Sequence, residues 1–536
     1  MKVSEIPYEK DRHGWYRFFE ILPGSLTYLL LLTPFILSLI NVTLAALFIL
    51  IYILVYFARA VAFDIRILAG YRLMRAYEKL DWQALLAEIE TGVVSDKQIE
   101  RPKWHIENLN RLVTQPSVVK PSDQIHAVII ALYKESREVL EPTIQAVVDS
   151  KFDTKKIILI IAYETRAGAE AQELAEDLIS KYGDHFYFAR SIGHPNNIPG
   201  EVLGKGANIT FSGRVLQKYL QDQKIDPIRV IVTTLDSDNR PNKNYFAGLS
   251  YLYAISPDPV RVSYQPLAMF TNNIWDVPAP MRAIATGNNV FYLMLTQRPH
   301  LQRNFSAHAQ SMRALIDMDF WSVRTIVEDG HQFWRSYFFY EGNYRVYPLA
   351  IPVYQDAVLA KGYIRTLKAQ FVQLRRWTYG ASDIAYIGYY GFIKKNKISK
   401  WKVANKFYRT LESHVTWATG PLIILLAGFV PALIHPRNYV ANELPLIISN
   451  IETFGLLGFV ILLYVAIKLL PPRPAHYKPH RSLLVLIQWC FLFVTPLIYG
   501  SAAAIYSQTR LMFRKYLTKF DTTEKNVFNP LDKRQS

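Results

Sequence analysis

The chain alternates between long apolar blocks at its ends and a mixed middle. From Ile21 to Ala58 it holds no Lys, Arg, Asp or Glu. About 20 apolar residues suffice for a helix to cross a bilayer. The block is therefore one overlong span or a tight helical hairpin, and the pattern favours a hairpin turning near Pro34 to Asn41. It is too long, and begins too late, for the apolar core of a cleavable signal peptide. Three further apolar segments lie near the C-terminus. The first is uncharged from Ser413 to Pro436, the second runs from about Leu444 to Leu470 with Glu452 inside it, and the third is uncharged from Ser482 to Thr509. A single such block reads equally well as a buried helix of a soluble domain. Four of them, bracketing the chain, read as membrane spans.

The middle has other periods. Leu73, Tyr77, Leu80 and Leu85 recur at mostly helical spacing and predict an amphipathic helix over 71–91. Residues 92–124 are polar, contain Pro102, Pro116 and Pro121, and read as a linker. From His126 the pattern changes. His126–Tyr133, Lys156–Ala162 and Arg229–Leu235 are short β-branched runs, with helical patterns at Glu138–Asp149 and Ala167–Lys181 between them. Continuous apolar strands alternating with helices predict a mostly parallel sheet covered on both faces. Ligands of such sheets lie beyond the carboxyl ends of the strands.

Charge then orients the blocks. Lys and Arg total 61 against 44 Asp and Glu, a net charge of +17. Arg59, Arg66, Arg72, Arg75 and Lys79 follow the first block, and Arg473, Lys478 and Arg481 mark the 471–481 loop, so both are expected on the cytoplasmic side. The 436–445 loop carries Arg437 and Glu443 and is expected outside. The tail, with Arg510, Arg514, Lys515 and Lys519, asks for the cytoplasm, whereas three full crossings would place it outside. A bend around Pro496 and Gly500 would reconcile the two. The lysines from Lys394 to Lys406 precede a span and suit anionic headgroups rather than nucleic acid. A chain with 51% hydrophobic and 14% aromatic residues is not disordered. One cysteine, Cys490, excludes an intrachain disulfide framework and any zinc site of several cysteines.

Three polar elements punctuate this frame. The run Arg229–Leu235 ends in Asp236-Ser237-Asp238. Two carboxylates one residue apart at the end of a buried strand suit Mg2+ or Mn2+, which would neutralise a nucleotide diphosphate. A solvated turn is the plain reading. Glu328-Asp329 precedes the aromatic run Phe333, Trp334, Tyr337 and Phe338, where semi-burial would tune a general base. The plain reading is a helix N-terminus favoured by the dipole. Gln373-Leu374-Arg375-Arg376-Trp377 joins an amide, a guanidinium able to brace a diphosphate and an indole able to stack on a sugar. A juxtamembrane Arg/Trp anchor has the same composition.

In order, these elements (DxD, ED and QxxRW) resemble those of the membrane-embedded family 2 glycosyltransferases, the group with cellulose, chitin and hyaluronan synthases. The likeness covers roughly residues 125–410 and the flanking spans. It implies an α/β fold, a GT-A type nucleotide-sugar-binding domain bracketed by transmembrane helices. It implies metal binding by Asp236 and Asp238, with Mg2+ or Mn2+ as cofactor, and catalysis by Asp329 with Glu328. It places Gln373, Arg376 and Trp377 beside the donor or acceptor. Ala131-Leu132-Tyr133-Lys134-Glu135-Ser136 is similar to the family's base loop, so Tyr133 and Glu135 would meet base and ribose. Gly204-Lys205-Gly206-Ala207-Asn208 is similar to its Lys/Ala/Asn segment and would put Lys205 near the nucleotide. A helix start after a flexible loop is the plain reading of that segment. Where the processive synthases carry an aspartate after the second strand, Glu164 is the one substitute here. The acceptor-side stretch is Phe305–Ser311, in which His308 is either a hydrogen-bond partner of an acceptor or a structural histidine. His331 is an outside candidate for a third metal ligand. No counterpart of the synthases' gating loop is evident.

The expected organisation is a cytoplasmic segment 1–22, a transmembrane hairpin 23–62, an amphipathic helix and linker 63–124, a cytoplasmic glycosyltransferase domain 125–377, interfacial helices 378–411, a transmembrane region 412–509 and a basic tail 510–536. The expected activity is inverting transfer from a nucleotide-diphospho-sugar, a UDP-sugar by resemblance, to a growing glycan at the plasma membrane by a processive, multi-pass synthase. The alternatives are single transfer to a lipid-linked acceptor and a non-catalytic nucleotide-sugar-binding scaffold. Expected partners are the donor, the acceptor and membrane lipids, with no nucleic acid and with room for a homo-oligomer.

Overall fold

The computed structural model describes residues 5–94, 100–474, 477, 488–519 and 525. Lys478 and Arg481, and the start of the third C-terminal apolar segment, lie outside these residues.

Among the described residues, an eight-stranded sheet forms the centre. Its strands are β1 Ile125–Leu132, β2 Ile157–Glu164, β3 Phe188–His194, β4 Val230–Asp236, β5 Arg240–Pro241, β6 Val262–Phe270, β7 Ala309–Ser311 and β8 Arg345–Gln355, in the spatial order β3-β2-β1-β4-β7-β6-β8-β5. Strands β3, β2, β1 and β4 run parallel. The short β7 is antiparallel to both β4 and β6, and β8 returns parallel to β6. The expected α/β architecture with a mostly parallel sheet is what the chain forms. The boundaries of β1, β2 and β4 fall within a residue or two of those predicted. The antiparallel β7, three residues long, has too little sequence to signal itself.

Burial explains the patternless apolar strands. Along β1, Val128, Ile130 and Leu132 join one core with Leu140, Ile144, Tyr245 and Phe246. The alternate residues Ala127 and Ile129 join a second core with Ile209, Leu216, Phe320 and Trp321. Successive side chains point to opposite faces, so two covered faces require an unbroken apolar run.

Among the described residues, four helices are long and apolar enough to cross a membrane: Gly14–Ile40, Val42–Lys79, Lys400–Ile434 and Tyr439–Leu469. The first two form the expected hairpin. It turns at Asn41, whose side chain accepts from the backbone N–H groups of Thr43 and Leu44 at 2.9 and 3.2 Å and caps the second helix. That helix outruns the bilayer and reaches the α/β domain. At Gly70 it meets Ala279–Thr296 so closely that a Cβ would lie 2.1 Å from the Leu293 carbonyl oxygen.

Two local expectations are corrected. Residues 71–91 are not one helix: the membrane helix continues to Lys79, Leu80 is extended, and Asp81 caps a new helix, Trp82–Thr91. Hydrophobic spacing runs through the break, so periodicity missed it. The polar stretch 92–124 contains a helix, Lys103–Thr114, pinned by the buried His105, whose ring lies 2.9 Å from Glu88 and 2.8 Å from the Tyr251 hydroxyl.

The C-terminal end leaves regular α-helix at Pro496 and Gly500. Residues Pro496–Ser501 are a π-helix turn, followed by Ala502–Met512. Gln508 accepts from the Thr27 hydroxyl at 2.6 Å, and Arg17 donates to the Leu511 carbonyl at 2.6 Å. Beyond it, Lys519 pairs with Leu203 and Lys525 with Leu359. The tail residues described here therefore lie on the α/β side.

Candidate active site

Strand register gathers the polar ends. Asp236 aligns with Ala131 of β1, and Tyr163 of β2 aligns with Leu132, so Tyr133, Glu164 and Asp236 emerge along one edge of the sheet. Helix Lys205–Asp222 starts there, tied to β2 by Asn208, which donates to the Ala162 carbonyl at 2.7 Å. Its first residue, Lys205, is buried and sets its ammonium 2.9 Å from Asp236 and 3.5 Å from Asp329. Asp329 and Glu328 open the helix Glu328–Phe339, whose dipole favours carboxylates in its first turn. Gly206 permits this approach: a Cβ there would lie 2.7 Å from the Ser322 carbonyl oxygen and 3.0 Å from the Glu328 Cβ. The glycine in Gly204–Asn208 thus has a packing reason.

The segment before β7 completes the cluster. The Ser306 hydroxyl lies 2.8 Å from one Asp236 oxygen. The Asn239 side-chain oxygen Oδ1 accepts from the Asp236 backbone N–H at 3.0 Å. His308 is a structural histidine. The Trp321 indole donates to its Nε2 at 3.1 Å, which leaves the proton on Nδ1, 2.9 Å from the Phe305 carbonyl oxygen and 3.6 Å from Asp329. Burial holds its pKa below the usual histidine value.

The charges are strongly coupled. Burial opposes the Lys205 charge, but Asp236, Asp329 and Glu328 outweigh it and hold the ammonium well above the usual lysine range. Burial likewise opposes Asp236, which Lys205 and then Lys525 keep below the usual carboxylate range. Glu328 goes the other way: burial, then Asp329, push it up, against the pull of Lys205.

Asp238 is buried. It accepts from the Asn239 amide at 3.2 Å and the Asp356 backbone N–H at 3.1 Å. The Lys525 ammonium lies 2.6 Å from it. Asp356 follows the carboxyl end of β8. Burial and the Asp238 charge push its pKa up to about 6. Asp236, Asp238 and Asp356 are hard oxygen donors whose mutual repulsion calls for a cation, so their chemistry fits Mg2+ or Mn2+. As the side chains stand, lysine ammoniums meet that demand, and among the described residues no group of three or more His, Cys, Asp or Glu side chains is arranged as a metal site.

At the β1/β2 end, Glu135 accepts from the Tyr133 backbone N–H at 2.8 Å. Arg166 stacks 4.4 Å over the Tyr133 ring and pairs with Glu164. The third motif lies on helix Tyr363–Thr378, which follows β8. Gln373 is buried and accepts from Gln370 at 3.1 Å. Trp377 is half-buried, with its ring 5.9 Å from Phe270, and Arg376 is on the same helix. His331 turns away from the carboxylate cluster to Asp383 at 2.7 Å, so it is a buried structural residue and not a metal ligand here.

Asp356 and Arg166 were not picked out from the sequence. Asp356 had a signal, a carboxylate directly after an apolar strand as at Asp236, but β8 itself was missed. Arg166 had none.

No protein-family profile and no curated protein matches the chain. Solved structures similar to it include the mannosyltransferase PcManGT from Pyrobaculum calidifontis in complex with GDP-Man and Mn2+, at 12% identity and TM-score 0.41 over 81% of this chain and 99% of that one. S. aureus TarS 1-349 in complex with UDP-GlcNAc is similar at 11% identity and TM-score 0.35, over 73% of this chain and 92% of that one.

Proposed function

We propose that the protein is a membrane-embedded glycosyltransferase that moves a sugar from a nucleotide-diphospho-sugar with inversion at the anomeric carbon. The observation that carries this reading is the buried Lys205 ammonium set between Asp236 and Asp329. It joins a strand-end carboxylate suited to the diphosphate with a helix-start carboxylate suited to the acceptor.

In this reading Asp329 takes the proton of an acceptor hydroxyl. The hydroxyl oxygen bonds to the anomeric carbon while the bond to the nucleotide diphosphate breaks on the opposite face. Lys205 and Arg376 offset charge on the departing diphosphate. Tyr133, Glu135 and Glu164, with Arg166, hold the nucleotide. Glu328, its pKa raised by burial, stands beside Asp329 at the start of the same helix. Asp236, Asp238 and Asp356 would hold a divalent cation, which when bound supplies further charge for the diphosphate. Gln373 and Trp377 border the acceptor side. The donor is a UDP-sugar by resemblance, and Lys/Arg placement supports a cytoplasmic α/β domain at the plasma membrane.

A second reading, single transfer to a lipid-linked acceptor rather than polymer synthesis, is favoured by the cleft described below. The test is to supply detergent-purified protein with Mn2+ or Mg2+, a panel of nucleotide-sugars and a membrane lipid extract, and to follow nucleotide release and product size. Metal-dependent release from one donor class is expected. Nucleotide binding without release from any donor would point to the scaffold instead.

A further inference from the structure

A cleft of about 360 Å³ opens between the helices Gly14–Ile40, Val42–Lys79 and Lys400–Leu426. Leu30, Phe48, Val55, Tyr56 and Val415 line its apolar length. Arg59 and Glu412, which form an ion pair, line its polar end. The rise from Phe48 to Arg59 is roughly 16 Å at about 1.5 Å per residue. That is about half of a hydrocarbon layer roughly 30 Å thick. The cleft therefore runs from the charged boundary facing the α/β domain toward the middle of the membrane.

Among the described residues its polar end holds more cations than carboxylates. Lys406, Arg409 and Glu412 follow one another at three-residue steps on one helix, and Arg59 and Arg66 are seven apart on another. Loop residues Arg298 and His300 join them. Arg303 docks the loop, donating to the Thr410 hydroxyl at 2.7 Å. Burial, and then Arg66, Arg409 and Arg59, pull Arg298 below the usual arginine range. His300 is lowered by burial, then by Arg298 and Arg409. Among the described residues Glu412 is the carboxylate that offsets Arg298 in this crowd, and it is paired with Arg59. Guanidiniums so placed suit a phosphate group.

The same loop leads to the catalytic carboxylates. A few residues beyond Arg298 and Arg303, Ser306 bonds Asp236 and His308 lies beside Asp329.

We infer that the cleft and its cation cluster bind the acceptor as a lipid phosphate: the chain in the apolar cleft, the phosphate or diphosphate at Arg298, Arg409 and Arg59, and the attached sugar along the 298–308 loop toward Asp329. This rests on the transferase reading for the fate of the sugar, but the binding site stands on the cleft and the cations alone. Anionic lipids generally gather at such boundaries. The continuity with Ser306 and His308 is what points to the acceptor lipid and not to a bulk headgroup.

The test uses the full-length protein in nanodiscs of zwitterionic lipid, with farnesyl phosphate as the probe. Saturable binding is expected, at least tenfold tighter than that of farnesol. Arg298→Ala with Arg409→Ala should weaken it about tenfold or more, and Val55→Trp, which fills the cleft, should weaken it with the cations intact. Because the arginine substitutions relieve like-charge crowding, the ligand-free thermal midpoint should hold or rise. A fall with unchanged binding would mean a merely structural cluster and would overturn the proposal. Equal binding of farnesol, or displacement by phosphatidylglycerol at equal mole fraction, would overturn it too. Lost probe binding with nucleotide-sugar turnover retained sinks the cleft alone. Retained probe binding with no turnover from any donor supports the cleft and sinks the catalytic reading.

Discussion

The Lys525 ammonium lies 2.6 Å from the Asp238 carboxylate, so a residue from the C-terminal tail balances the second carboxylate of the Asp236-Ser237-Asp238 turn. Lys519 and Lys525 pair with Leu203 and Leu359, one beside Lys205 and the other just beyond Asp356. A tail cation and a divalent cation would compete for these oxygens. Lys525→Ala should lower the Mn2+ concentration needed for half-saturation by about tenfold, the equivalent of roughly 1.4 kcal/mol. Calorimetric titration of both proteins with Mn2+ measures it.

Glu328 links stability to pH. Its folded pKa is raised from 4.5 to about 8 by burial and by Asp329. A carboxyl raised in the folded state binds more protons folded than unfolded. Stability is therefore highest below the unfolded value and falls as pH climbs from 4.5 toward 8. Glu328→Gln removes that dependence. Its thermal midpoint should match the parent near pH 5 and exceed it increasingly up to pH 8, as thermal scans across that range would record.

Lys205 holds two carboxylates that would otherwise repel each other. Asp236 is about a third exposed, at 34%, and Asp329 less so, at 21%. Solvent thus softens the loss when the ammonium goes. Lys205→Met should cost about 2 kcal/mol at neutral pH and abolish tight nucleotide binding. Denaturation and fluorescent nucleotide titration read the two effects separately.

Gly206→Ala tests the seam between the helix starts. The added methyl would press on the Ser322 carbonyl and on Glu328. A cost of about 1–3 kcal/mol is expected from overpacking. Turnover should fall as Asp329 moves from Lys205. A thermal midpoint together with kcat for the variant checks both.

Much of this was legible in the chain, for identifiable reasons. The runs at β1, β2 and β4 are buried on both faces over nearly their whole length, so their apolar sequences announce themselves. The hairpin was readable because a bilayer sets a length that charge-free sequence must match. Asp236 and Asp329 were readable as carboxylates at element ends. Their meeting through Lys205 was not, because it depends on β4 and two helices converging. Asp356 stayed hidden behind β8, in which Pro348 and Pro352 obscure the strand pattern. Lys525 was hidden because a tail contact leaves no local periodicity at all.

The central claim is that Asp329 removes the acceptor proton. The most direct measurement compares nucleotide binding and sugar transfer in Asp329→Asn against the parent, in the same detergent, with the donor that the parent turns over. Binding within about threefold of the parent with transfer reduced at least 1000-fold is the predicted result, in keeping with loss of a base that contributes roughly 10²–10⁴-fold and of its pairing with Lys205. Transfer retained at more than about a tenth of the parent rate would contradict the account.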